Sequence, residues 1–308
     1  MQRMRPSLAI LLLVAGTAQA DFRQFRDVSV DPALTARVRH AAEESIRQFP
    51  KLKAEDLAIS IIDVSNASMI SRGDYQGDVS FYPASVIKLF FMADVFMQNK
   101  EKLGDVDRAL KEMIVVSDND ATAYLVDILA GTEGVTQLEG RALRRYVDQR
   151  RNINRHFSRF GYDIGAMMKP WSFGPYGRDL QVLGENRVNR NRLSANATAS
   201  LLLWIARGRA PSSPAMMTLL ERPLTPPRED ENQVKEFIGE ALPAGARLWS
   251  KAGWTSEVRH DAAYVELPDG RKMILVIFTR GIAPDTTLIP AIARNVLSEL
   301  APIKLPAP

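Results

Sequence analysis

Strand-like sequence stands at both ends of this chain and helix-like sequence fills the middle, and few folds accommodate that order. Leu57-Ala-Ile-Ser-Ile-Ile-Asp-Val64 reads as a strand, Asn66-Ala-Ser68 as a turn, and a shorter strand follows. Strands resume at Ala246–Trp254, Asp261–Glu266 and Lys272–Thr279, with the turn signal Pro268-Asp-Gly270 before the last. Between them, helical periodicity dominates 85–98, 105–116, 119–130, 134–147, 196–207 and 212–221. A helix opened by Asp31-Pro32 covers 32–48, and another closes the chain over about 286–300. The expectation is an α/β (α+β) fold in three α-β-α layers. Its antiparallel sheet is built from both chain ends, helices lie on its faces, and an all-helical domain is inserted. The expected division is 1–20 as a leader, 21–84 and 246–308 as the two parts of the sheet domain, and 85–245 as the helical domain. A cleft between the two domains is the natural place for a site. The stretch 161–195 is rich in glycine, proline and charge without a clear period, which reads as a long functional loop.

The first residues predict export. Arg3 and Arg5 precede an uncharged apolar run, Leu8–Gly16, and Thr17-Ala-Gln-Ala20 offers an exit for cleavage near Ala20. The run is too short for a membrane anchor, which needs about 20 apolar residues. The mature protein is therefore expected to be periplasmic or secreted, without a stable membrane anchor, and monomeric. With no cysteine in the chain, neither a disulfide nor a lipid attachment on cysteine is possible. Stability must come from the core, and about 290 mature residues are enough to build one. The formal charge of +4 falls to +2 without Arg3 and Arg5, so nothing points to nucleic acid. Arginines do cluster at 141–155 and 187–192, as a solvated face or as an electropositive rim for anionic substrates. The three histidines lack metal-ligand spacing, and no metal or other cofactor is expected.

Chemistry gathers at three short stretches. In Phe81-Tyr-Pro-Ala-Ser-Val-Ile-Lys-Leu-Phe90, Lys88 interrupts an apolar run three residues after Ser85, a spacing that shares one helix face. An amine that can lose its proton would activate the serine. Ser117-Asp118-Asn119 ends an apolar helix and, taken alone, reads as a capping junction. Lys251-Ala252-Gly253 lies on a late strand, where the glycine would permit a close approach.

In this order the three resemble the S-x-x-K, S-D-N and K-[ST]-G set of class A β-lactamases and penicillin-binding proteins. The resemblance runs from about residue 30 to 300 and includes Ser117-Asp-Asn-Asp-Ala-Thr-Ala123 and Leu267-Pro-Asp-Gly-Arg-Lys-Met-Ile-Leu-Val-Ile-Phe-Thr-Arg-Gly281. It implies the β-lactamase/transpeptidase-like fold. Ser85 would be the acyl-accepting nucleophile and Lys88 its proton acceptor, with Lys251 lowering the proton affinity of Lys88. Ser117 would return a proton to the leaving nitrogen, and Asn119 would hold a substrate amide. The N–H groups of Ser85 and of Trp254, just past Gly253, would form an oxyanion hole.

The pattern is broken in three places. No E-x-x-L-N motif lies between Ser117 and Lys251, which leaves Asp163, Asp179 and Glu185 as candidate bases for deacylation. Ala252 replaces the hydroxyl of the K-[ST]-G motif, and Thr255, Ser256 or Arg259 could compensate by binding a substrate carboxylate. The Ser85–Ser117 stretch is short and the Asn119–Lys251 stretch long, so one cleft wall should be cut down and the other built up. The implied function is a serine hydrolase opening β-lactam amides, or a related amide or ester, through an acyl-serine. The alternatives are a D,D-peptidase or other cell-wall amidase acting on peptidoglycan-derived peptides, and a non-catalytic binder of wall fragments.

Overall fold

The computed structural model describes residues 28–171, 174–226, 228–229 and 232–300; the expected leader lies outside them. The chain enters through a short strand β1 (Ser29–Val30) and the helix α1 (Pro32–Gln48). Asp31 caps α1 by accepting from Ala33 N and Leu34 N, while Pro32 occupies the first turn, where a missing N–H costs nothing. Strands β2 (Leu57–Asp63) and β3 (Ser71–Tyr75) follow. The other strands come late: β4 (Glu221–Arg222), β5 (Arg247–Trp254), β6 (Val258–Glu266) and β7 (Lys272–Arg280).

Among the described residues these strands form one seven-stranded sheet in the order β1-β3-β2-β7-β6-β5-β4. The two chain ends meet where β2 pairs with β7, antiparallel from Leu57↔Thr279 to Asp63↔Met273. One departure from the expected antiparallel sheet is the parallel pair β1–β3.

Period-two alternation divides the core. On β7, Met273, Leu275 and Ile277 face α1 and the last helix, α10 (Leu288–Glu299). Ile274, Val276 and Phe278 face the opposite side. There lies α8 (Ala195–Ala206), apolar on nearly every face and buried along its length against β2, β6 and β7. Helices therefore cover both faces of the sheet, giving the three α-β-α layers. Gly73 sets the approach of α1 to β3: a Cβ there would stand 2.6 Å from Thr35 N.

The helical segment begins with a 3-10 turn (Ala84–Ile87) that runs into α2 (Lys88–Met97). The helix expected over 105–116 divides into α3 (Val106–Lys111) and a π turn (Glu112–Val116). Then come α4 (Asn119–Ala130), α5 (Gly140–Arg150) and α6 (Asn152–Ser158). The stretch 161–195 is not a bare loop. It carries α7 (Gly177–Leu183), and its two ends are clasped by paired backbone hydrogen bonds between Gly165 and Arg192. The remaining helix, α9 (Ser213–Leu220), leads into β4.

Candidate active site

The site lies where the 3-10 turn before α2, the π turn before α4 and strand β5 converge. Lys88 opens α2 and is fully buried. Its amine lies within hydrogen-bond range of Ser117 O at 2.5 Å, Ser117 Oγ at 3.2 Å, Asp118 O at 3.3 Å and Asn119 Oδ1 at 2.9 Å. Ser85 Oγ is not among its partners, so Lys88 reaches across to the second motif rather than back to the first. The π turn explains why Ser117 is within reach. Its widened last turn ends with Ser117 in the left-handed region, at φ 62° and ψ 33°, a costly conformation for a residue with a Cβ. Asp118 then caps α4 by accepting from Ala121 N at 2.6 Å.

Lys251 approaches from the sheet. Buried on β5, it places its amine 3.0 Å from the same Ser117 Oγ, 2.6 Å from Gln233 Oε1 and 2.7 Å from Ala252 O. One hydroxyl thus stands between two buried amines. Burial pushes Lys88 down to about 7, with Asp118 opposing. For Lys251, burial again leads, and the charges of Lys88 and Arg222 add to it. Its proton affinity falls well below the ordinary amine range, although Asp261 opposes. Desolvation is the leading cause at both amines, and the two stand close enough for each to disfavour the other's charge.

Gly253 brings β5 against the turn that carries Ser85. A Cβ at this position would lie 2.7 Å from both Ser85 N and Val86 N. At the hairpin end Thr255 N donates to Val258 O, so the next pair inward, Trp254 and Arg259, is a non-hydrogen-bonded one. The Trp254 N–H consequently points away from β6. The Ser85 N–H belongs to a first helical turn, whose N–H groups lack intrahelical acceptors. The turn is steadied from below by His260, which donates through Nε2 to Tyr82 O at 2.8 Å and accepts Thr279 N at 3.1 Å. Burial holds His260 at about 4, so it is the neutral imidazole.

Other predicted residues are not brought to the amines. Arg259 projects to the opposite face of the sheet, where its guanidinium donates to Ala283 O and Glu236 Oε2 over the Phe237 ring. The methyl of Ala252 packs in the core on that same face, so it does not stand beside Lys251. Thr255 Oγ1 accepts the N–H groups of Glu257 and Val258 and shapes the hairpin turn. Asp163 is exposed and paired with Arg192, and Glu185 is exposed on the 3-10 turn after α7. Asp179 is locked in a buried cluster: it accepts from Arg150 at 2.7 Å and from Trp171 Nε1 at 2.9 Å. The arginine rim is likewise consumed in part, since Arg150 is buried and Arg155 pairs with Asp148.

A cavity of about 570 Å³ opens beside the turn that carries Ser85, between Ala84 and Ile87 on one side and Met168, Pro170, Trp171 and Leu183 on the other. Lys169, Arg187 and Arg190 contribute to its lining, and no carboxylate among the described residues does. No group of His, Cys, Asp or Glu among the described residues is placed to hold a metal, and no helix there is long and apolar enough to cross a membrane. Sequence reasoning missed Gln233, a buried amide joining Lys251 to the π turn, because a lone glutamine in a polar loop belongs to no motif.

Residues 104–300 match the family described as the Beta-lactamase enzyme family. No curated protein sequence matches the chain significantly. Solved structures share its fold at low identity. A mutant of PBP-A, solved as an acyl-enzyme complex with penicillin G, is 17% identical with a TM-score of 0.60, over 87% of this chain and 97% of that one. A beta-lactamase from Chitinophaga pinensis DSM 2588 is 16% identical with a TM-score of 0.60, over 86% and 99%. The TLA-1 extended spectrum beta-lactamase is 12% identical with a TM-score of 0.62, over 86% and 99%. With more than half of its length matched and the three motifs brought into contact, the chain belongs to the beta-lactamase enzyme family.

Proposed function

We propose that the protein is an exported serine hydrolase that β-lactams acylate at Ser85 and that releases the acyl group slowly. The observation that carries this reading is the hydroxyl of Ser117 held between two buried amines of lowered proton affinity. In the proposed step Ser85 Oγ attacks the lactam carbonyl as its proton passes to Lys88. The N–H groups of Ser85 and Trp254 receive the developing oxyanion, a kind of contact worth about 3 kcal/mol of barrier. The C–N bond then breaks, and the nitrogen takes a proton from Ser117, which Lys88 or Lys251 replenishes. Asn119 is assigned to the substrate amide. Water must finally cleave the acyl ester. Asp163 and Asp179 are committed to ion pairs and the described cavity wall bears no carboxylate, which supports slow deacylation.

That same lack favours a second reading, a D,D-peptidase or related wall amidase for which a β-lactam is an inhibitor. Intact-protein mass spectrometry after mixing with a penicillin or a cephalosporin tests both. The expected result is an adduct on Ser85 that decays over minutes or longer, and its absence from a folded Ser85→Ala variant. An adduct that never decays, together with release of D-Ala from peptides, would establish the second reading. An adduct of unchanged yield on Ser85→Ala would end both.

A further inference from the structure

Gln233 occupies the joint between the sheet and the turn that presents Ser117. Its side chain is 2% exposed and all four hydrogen-bonding positions of its amide are filled. Oε1 accepts from Lys251 Nζ at 2.6 Å and from Ala252 N at 3.1 Å. Nε2 donates to Ile114 O at 3.1 Å and Val115 O at 2.8 Å, two carbonyls of the π turn. Strand β4 pairs with β5 only at Trp249 and Leu248. Beyond them, the outward N–H of Ala252 meets Gln233 in place of a neighbouring strand.

An amine has four positions around nitrogen. Three are open to partners in Lys251, and two of them face Gln233 Oε1 and Ala252 O, an amide and a peptide oxygen that can only accept. Those two must be N–H. The third faces Ser117 Oγ, which can donate or accept, and it alone can switch between N–H and lone pair. We propose that Gln233 is a positioning residue that fixes the rotation of the Lys251 amine, so that its proton-exchanging position is aimed at Ser117. The inference rests on the acyl-transfer reading above, in which Ser117 is resupplied with a proton.

A neutral amide suits this task better than a carboxylate. The charges acting on Lys251 are those of Lys88 from α2, Arg222 from β4 and, from the opposite face of the sheet, Asp261 of β6, and the Ser117 hydroxyl touches it. Within this set a carboxylate at 233 would hold the proton on Lys251, and being acceptor-only it would also abandon the Ile114 and Val115 carbonyls.

The test follows acylation of Ser85 by penicillin G from pH 5 to 10 in the full chain and in Gln233→Glu and Gln233→Leu. Gln233→Glu should move the titration of Lys251, followed by lysine ε-¹⁵N NMR, upward by about one pH unit, because an opposite charge within hydrogen-bond range stabilises the ammonium. Gln233→Leu should slow acylation about tenfold or more at every pH, through loss of the aim rather than of the charge. Folded variants that acylate at the unaltered rate with an unmoved Lys251 titration would overturn the proposal. Lysine ε-¹⁵N NMR of the unsubstituted protein gives a reading independent of turnover and of variant folding. The Lys251 signal, assigned by its disappearance in Lys251→Met, should show amine hydrogens protected from solvent exchange. Exchange as fast as that of surface lysines would refute a fixed rotation even if no β-lactam ever acylates the protein. Absence of any adduct with protected Lys251 hydrogens would instead sink the acylation reading and leave the positioning intact.

Discussion

Lys88 is the residue on which local chemistry and stability oppose each other. Its folded value of about 7 lies below the ordinary 10.5, with burial as the main cause. As pH falls from 10.5, the unfolded chain takes the proton first. The stability that comes from the uncharged amine is therefore complete above 10.5, declines as pH drops toward 7, and changes no further below it. Acylation should follow the same group, rising through pH 7 and levelling once the amine is neutral. A rate measured against pH checks the acylation profile, and the melting temperature of Lys88→Met against that of the unsubstituted protein over the same range checks the stability. A flat acylation profile from pH 6 to 9 would remove Lys88 from the role of base. The polar residues at the start of β6 contribute in another way. Arg259, His260 and Asp261 look out of place in a strand, yet each is buried and engaged, Asp261 by the N–H groups of Ile238 and Ala262.

At the scale of elements, sequence patterning carried most of the scaffold. Helices α1, α4 and α8 and strands β2, β5 and β7 were legible because each has a cap, a period or a β-branched run of its own. Strands β1 and β4 were not, since two residues hold no period. The π turn was hidden inside a helical pattern that it extends without interruption. Helices α6 and α7 escaped notice because their stability comes from tertiary contacts rather than from an amphipathic stripe. The wall containing α7 depends on one side chain above all. Arg150 is fully buried and donates to Asp179 Oδ1, Asp127 Oδ1, Thr132 Oγ1 and Met167 O. Arg150→Met should destabilise the protein by about 3 kcal/mol, since it takes the guanidinium from the buried carboxylate of Asp179 and leaves it Trp171 and the more distant Lys169. Chemical denaturation measures the loss, and a change smaller than about 0.5 kcal/mol, the range of an ordinary surface substitution, would show that the wall is held by something else. Of the site itself, the four motif residues were readable as a set. Their mutual geometry was not, because Lys88 turns to Ser117 through a contact 29 residues distant.

The whole molecule is closed by parts that lie far apart in sequence. The β2–β7 ladder joins residues such as Leu57 and Thr279, and α1 lies against α10, where His40 and Glu299 meet at 2.8 Å. Such non-local pairing must bear the entropy of a long closure before any contact rewards it, so folding should be slow. Refolding followed by far-ultraviolet circular dichroism should recover helix early, while competence for acylation appears only in the slowest phase. Simultaneous recovery of both signals would show that the helical segment and the sheet form together. The separation of Ser85 from Lys251 has a further meaning for how the protein is made. The strand bearing Lys251 leaves the ribosome long after Ser85 does, so a partly synthesised molecule carries its serine without the second amine. On the proposed mechanism the nucleophile is armed late, and a reagent that acylates it would count molecules grown past that strand while ignoring every shorter one.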